Sequence, residues 1–192
     1  SWTWRKAPKF FDVVVANSLS GSGNTISHSL GCDVGMIIAK RIDAVENWFV
    51  WHRGIPNDAL YLNGTNATGG ITTTYLFGNG SSVVQPTSTQ FTFGAPTNGN
   101  YLFYLFAHNN NDGGFGLTGS DDIIKCGSYT GTGSSGNSIT LGFEPQWLLI
   151  KDATSSGSWI ILDNMRGLPV GGNVQELFPH LSNAETTSGN TR

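Results

Sequence analysis

Charge is what this sequence has least of. Asp, Glu, Lys and Arg make up 12% of its 192 residues, about half the share of an ordinary globular domain. The net charge is −3 and the basic residues form no block. The clustered cations that release counterions from phosphates are therefore missing, which argues against nucleic acid as a partner. Long apolar runs are missing too: none approaches the roughly 20 residues that cross a bilayer as a helix. Two cysteines, Cys32 and Cys126, are too few for a disulfide scaffold and are expected to be buried free thiols. No His-x-x-x-His or Cys-x-x-Cys spacing marks a zinc site, and no Gly-x-Ser-x-Gly elbow is present. The acids are few and fall mostly in predicted loops, so the paired carboxylates of a glycosidase are not expected. The reading is of a protein without catalytic residues and without a cofactor.

What the sequence does have is 26 glycines, 11% aromatic residues and apolar runs of four to seven residues. Ser, Thr and Asn crowd the segments between those runs. Short β-branched and aromatic runs with turn signals every ten or so residues predict an all-β fold, an antiparallel β-sandwich of jelly-roll type. No helix longer than a turn or two is expected. Strands are predicted over residues 11–15, 35–40, 47–52, 59–62, 71–77, 90–93, 101–107, 122–126, 146–151 and 158–163, with Gly/Ser loops at residues 18–23 and 130–136. The runs at 35–40 and 47–52, and those at 146–151 and 158–163, each follow one another across a polar turn and predict hairpins.

The chain also repeats itself. LGCDVGMIIAK (residues 30–40) returns as LGFEPQWLLIK (residues 141–151). Gly31, Lys40 and Trp48 match Gly142, Lys151 and Trp159 at one spacing, and Arg53-Gly54 matches Arg166-Gly167 after a two-residue gap. Ile55-Pro56 then faces Leu168-Pro169, and Asn66-Ala67 faces Asn183-Ala184. Spaced Lys, Trp and Arg-Gly do not arise from shared low complexity, so an internal duplication is expected. Residues 1–10 are assigned to the closing strand and linker of a preceding unit, 11–108 to a complete unit, 109–121 to a polar linker and 122–192 to an incomplete second unit. On that reading the sequence is a window on a longer array, and the second unit needs a neighbour to cover its open edges.

These residues resemble a known pattern. Aromatic-Phe-Asp-Val-Val, then a Gly/Ser loop, Leu-Gly-Phe-x-Pro-x-Trp-Leu-Leu-Ile-Lys, then Trp, Asp, Arg-Gly and Ser-Asn-Ala-Glu-Thr-Thr is similar to a repeat of bacteriophage virion proteins, tail fibres or appendages of marine and cyanobacterial phages. The match falls on residues 11–14 and 141–151, on Trp159, Asp163, Arg166 and Gly167, and on residues 182–187. The first copy departs from it, with Val34 in place of the Pro and His52 in place of the Asp. The resemblance implies a structural component on the exterior or tail of a virion, involved in host attachment. It also implies a homo-oligomer such as a trimer, with other virion proteins and a host-surface glycan as partners. The alternatives are a carbohydrate-binding module of an adhesin or secreted bacterial surface protein, and a capsid decoration protein or surface fibril.

Three sets of residues are singled out. Gly31, Lys40, Trp48, Arg53, Gly142, Lys151, Trp159 and Arg166 recur and are expected to hold the fold, the Lys and Arg by bonding loop carbonyls or Asp163. Trp51, Tyr61 and Tyr129 are the candidates for an outward aromatic that stacks on a sugar. Asn109, Asn111, Asp112 and Asp121 form an oxygen-rich stretch of the kind calcium takes. Their spacing is not that of an EF-hand, and the plainer reading is a turn built of residues that tolerate positive φ.

Overall fold

The computed structural model describes residues 3–69, 73–134, 136–167 and 173–188. Of the sequence assignments, Trp2, Ile71 and Leu168-Pro169 lie outside them. Strands account for 40% of the chain and helix for 2%, and the sheets are antiparallel, so the all-β expectation holds. Five strands form the main sheet: β1 (Phe11–Ser27), β2 (Val34–Arg41), β3 (Trp48–His52), β4 (Ala59–Tyr61) and, after one helical turn α1 (Thr73–Leu76), β5 (Gln90–Ala107). Their order is β1-β5-β2-β3-β4. A separate hairpin pairs β6 (Trp147–Ile150) with β7 (Ile160–Asp163), and β8 (Val174–Glu176) pairs with β9 (Thr186–Ser188).

The main sheet is apolar on both faces because it is covered on both. One face carries Ile37, Ala39, Phe49, Trp51, Tyr101, Phe103 and Leu105, all buried. The other carries Met36, Ile38, Val50 and Phe106. The first face is covered by the sheet's own two longest strands. Phe93 and Phe103 both belong to β5, and in a straight strand residues ten apart lie about 33 Å from one another. Their ring centroids are 5.0 Å apart, and those of Phe91 and Phe103 are 4.9 Å apart. The β1–β5 ribbon therefore folds back on itself, and its far half lies over its near half as a second layer.

The sharp bend falls where residues 18–23 were expected to be a loop. Strand pairing continues through it, with register shifts between Ala16 and Asn24. Positive φ at Ser18, Gly21 and Gly23 supplies the curvature. Asn24 Nδ2 ties the bulge together by donating to the carbonyls of Ser20, Gly21 and Phe93. The runs expected as separate strands at 90–93 and 101–107 are accordingly two arms of one strand.

Two further expectations fail. The described part of the run at 71–77 forms α1, whose Leu76 joins Phe77 in the inner core. Residues 122–126 form no strand, although they align with the first half of β1. They lie across the start of β2 instead: a Cβ on Gly35 would sit 2.5 Å from Cys126 Sγ. Cys32 and Cys126 are both free thiols, as expected, and burial pushes the Cys126 thiol up to about 12.

Candidate functional site

The two hairpins share one geometry. In the first, Met36 pairs with His52, Ile37 with Trp51, Ile38 with Val50 and Ala39 with Phe49. In the second, Trp147 pairs with Asp163, Leu148 with Leu162, Leu149 with Ile161 and Ile150 with Ile160. Every partner is displaced by 111 positions, the step from Lys40 to Lys151. The closing bond is repeated as well: Arg53 N donates to Gly35 O at 3.0 Å, and Asn164 N to Gln146 O at 3.1 Å. A third strand position follows the same plan. Val50 faces Leu60 of β4, and Ile161 exchanges backbone bonds with Leu177. Leu60 to Leu177 is a step of 117, the same as Asn66 to Asn183. Gly31 and Gly142, which precede the hairpins, have φ of 66° and 91°, with open space where a Cβ would stand. Both are there for the left-handed backbone alone.

The second hairpin docks on the first sheet by its equivalent face. Trp159 is buried in a cluster with Met36, Ile38, Val50 and Leu60, with Leu149 packed beside it. Its indole Nε1 donates to Tyr61 O at 2.8 Å. Trp48, its counterpart, is half-buried and stacks on Tyr104, with Lys40 Nζ 5.7 Å above its ring. The recurring cations bond neighbouring loops. Lys40 Nζ donates to Glu46 O at 2.6 Å, Lys151 Nζ to Asp152 O, and Arg166 pairs with buried Asp163 and with Glu185. Arg53 reaches Asp33 at 3.8 Å.

His52 stands where the second hairpin has Asp163, and both do the same work. His52 Nδ1 accepts from Gly54 N at 3.0 Å, and Asp163 Oδ1 from Arg166 N at 2.9 Å. Each caps the turn that leaves its strand. His28 Nδ1 likewise accepts from Leu30 N, and His108 Nδ1 from Cys126 N. An imidazole in this role must be neutral. Burial lowers the pKa of all three, that of His52 to about 4 with Arg53 and His108 adding to the effect. Only the sheet and the loops packed on it reveal this shared duty, which the scattered sequence positions of the histidines hide.

The sugar-stacking set is not assembled. Trp51 is 3% exposed and faces the inner core, its Nε1 donating to Pro56 O, so the expectation that it stands outward is corrected. The sheet is buried on both faces, and the alternation of Trp48 with Trp51 therefore selects no solvent side. Tyr61 packs on Phe49 at 5.7 Å. Tyr129 is 54% exposed in the segment after Cys126.

The oxygen-rich stretch acts as a set of backbone clamps. Asn109 is fully buried, its Oδ1 accepting from Ile123 N and Ile124 N and its Nδ2 donating to Lys9 O. Asn111 has φ 65° and donates its N–H to Asp122. Asp112 accepts from Asn110 N, and Asp121 exchanges backbone bonds with Phe115. Asp122, expected to open a strand, ties the loop by accepting from Asn111 N and Gly113 N.

A shallow cavity of about 330 Å³ runs beside β1, lined by Lys6, Asp12, His28 and the β1 valines. Asp12 is buried and takes bonds from Lys6 Nζ at 2.6 Å, Ser29 N at 2.6 Å and Val13 N at 2.8 Å. Burial works to raise its pKa, but these donors outweigh it and hold the carboxyl below its usual range. A carboxylate with its lone pairs taken in this way is a structural lock. Among the described residues no three His, Cys, Asp or Glu side chains gather as a metal site.

The sequence model of one family, described as a domain of unknown function (DUF7483), matches residues 6–192. The chain belongs to the DUF7483 family. That match takes in both hairpins and the whole main sheet. No curated protein and no solved structure matches this DUF7483 chain.

β6 is less covered than its counterpart β2. β2 lies between β3 and β5, and Val34–Ala39 are buried throughout. β6 pairs with β7 alone among the described strands, and all four of its residues are half-buried.

Proposed function

We infer that this DUF7483 protein is a structural β module of a bacteriophage particle, carried on a tail fibre or other surface appendage. The observation that carries this reading is the recurrence of one hairpin, in one register, at a step of 111 residues, with equivalent faces packed together. A geometry that stacks copies of itself serves construction, and it is what the resemblance to virion appendage repeats implies. Low charge and many small polar residues suit an exterior surface. In this role the chain works passively. Apolar faces are buried against one another at roughly 25 cal/mol per Å² removed from water, and the assembled copies, a trimer in the fibre reading, present a rigid surface toward the host.

The test is quantitative mass spectrometry of purified particles of the phage that encodes the chain, with immunogold labelling of the same particles. Peptides of the chain in several copies per particle, and label on the tail or surface, are expected. Infected cells that contain the chain while purified particles lack it would overturn the reading.

A further inference from the structure

We propose that the β6–β7 hairpin is exchanged between copies of this chain. Where copies are crowded, the hairpin of one docks on the main sheet of a second copy, by the face it uses within its own chain. The contacts that seat it lie on two sides of one connecting segment. Met36, Ile38, Val50 and Leu60 enclose Trp159, and Tyr61 O takes its indole N–H at 2.8 Å. Trp4 packs on Trp147. The turn of the hairpin bonds the loop after β4: Gly157 N donates to Thr65 O, and Thr68 N and Oγ1 donate to Ala153 O, each at 2.9 Å. Ser156 Oγ lies 3.5 Å from Thr65 Oγ1. Each of these contacts joins a residue before 69 to a residue after 145, so none of them depends on which copy supplies the hairpin.

The connecting segment starts from a fixed point. Asn109 Oδ1 holds Ile123 N and Ile124 N, His108 Nδ1 holds Cys126 N, and Ser128 lies against Gly54. Beyond that anchor every described residue from Tyr129 to Thr140 is exposed. Among the described residues of 129–145 the hydrogen bonds stay inside the segment, from Asn137 Nδ2 to Thr130 O and between Thr132 and Ser134. A Gly/Ser-rich segment sets a reach but no direction. One of this length spans about 60 Å when extended, about twice the diameter of a small domain. Exchange conserves every contact of the hairpin, so concentration sets the balance between the two arrangements. A flexible link of this kind presents the hairpin to its own sheet at an effective concentration on the order of millimolar. Copies packed side by side reach that value, and dilute chains stay closed on themselves. Two copies that trade hairpins close a two-fold dimer; a copy that gives to the next and receives from the previous one extends a row. The inference uses the interface and the connecting segment alone, so exchange and presence in a particle fail separately.

The probe is a pair of full-length variants, Thr65→Cys and Ser156→Cys, both at exposed positions, mixed in equal amounts and gently oxidised. Peptide mapping by mass spectrometry reads the disulfide between positions 65 and 156. It joins two chains when the hairpin of one sits on the sheet of the other. Its yield should rise about tenfold from about 0.1 mM to about 1 mM chain. A single chain with both substitutions should close within itself when dilute. Thr65→Cys mixed with Ser134→Cys, on the connecting segment, measures chance collision and should stay low. Trp159→Ala separates docking from collision. In the Thr65→Cys chain it vacates the receiving sheet and should raise the yield. In the Ser156→Cys chain it spoils the arriving hairpin and should lower the yield to the collision level. Three results would overturn the proposal: a yield at about 1 mM no higher than with Ser134→Cys, failure of the doubly substituted chain to close, or the same effect of Trp159→Ala in either chain.

Discussion

β2 and β6 pair in the same way in two surroundings. Their residues align at one step, their partners β3 and β7 match pair for pair, and each is preceded by a left-handed glycine. Yet β2 is buried from Val34 to Ala39, and β6 stays half-exposed along its length. The difference is β5, which lies along β2 and has no counterpart beside β6 among the described strands. A hairpin needs only its own sequence and a turn. Burial of its outer edge needs a strand from elsewhere, and β5 reaches β2 only after about fifty residues of intervening chain.

Breaking the two regions separately measures that difference. The largest effect belongs to Phe103→Ala. Phe103 is fully buried among Phe91, Phe93 and Tyr101, and losing it should destabilise the protein by about 4 kcal/mol. Denaturant unfolding should show that loss in a transition that takes β1, β2, β3 and β5 together. Trp159→Ala should cost about 3 kcal/mol and act locally. Exchange should accelerate in β6 and β7, whose hold on Val50 and Leu60 is lost, and stay slow in β2 and β5. A global transition as large as that of Phe103→Ala would show that the second hairpin and the main sheet are one cooperative unit.

Acid should separate the hairpins next. The folded pKa of His52 is depressed to about 4, so below the ordinary value near 6.5 the unfolded chain binds a proton that the folded chain does not. Its contribution is intact above pH 6.5 and is lost as the pH falls toward 4, by about 2 kcal/mol after allowance for partial exposure. His28 and His108 shift in the same direction and steepen the loss. Stability measured against pH in wild type and in His52→Gln should show a shallower slope in the variant. Equal slopes would remove His52 from the account. The smallest effect is the matched pair Gly31→Ala and Gly142→Ala. Each forces a side chain into left-handed backbone with space to spare, at about 1 kcal/mol. Equal shifts in thermal midpoint would mean that both turns are equally coupled to the core; a shift for Gly31→Ala alone would place the second hairpin outside it.

The hairpins were legible in the sequence because their signals are local: a short apolar run, a polar turn and a second run. The recurrence of Lys, Trp and Arg-Gly was legible for the same reason, since identical spacing across a turn leads to identical register. The segment at 122–126 was misread because β1 is a strand only by virtue of β5. The same kind of residues without that partner lie across β2 as unpaired chain. Trp51 was misread because alternation separates two faces but does not say which is wet, and here neither is. The Ser18–Gly23 stretch looked like a loop because a bulged, bent ribbon uses the same glycines and serines. The clamps of Asn109 and Asp122 carried no signal of their own, since Asn and Asp in a Gly-rich stretch suit a turn, a metal loop and a clamp equally well.

Composition and local pattern alone determined that this chain is antiparallel β and that two of its segments make the same hairpin. Only the tertiary structure decided that one ribbon doubles back to cover its own sheet, that Trp159 docks on the main sheet, and that β2 is buried where β6 is half-buried. The reason is range. Alternation, glycine φ and turn chemistry act over a few residues, whereas covering a sheet face or edge is settled by segments far apart in the chain, whose meeting is governed by the apolar area they hide together.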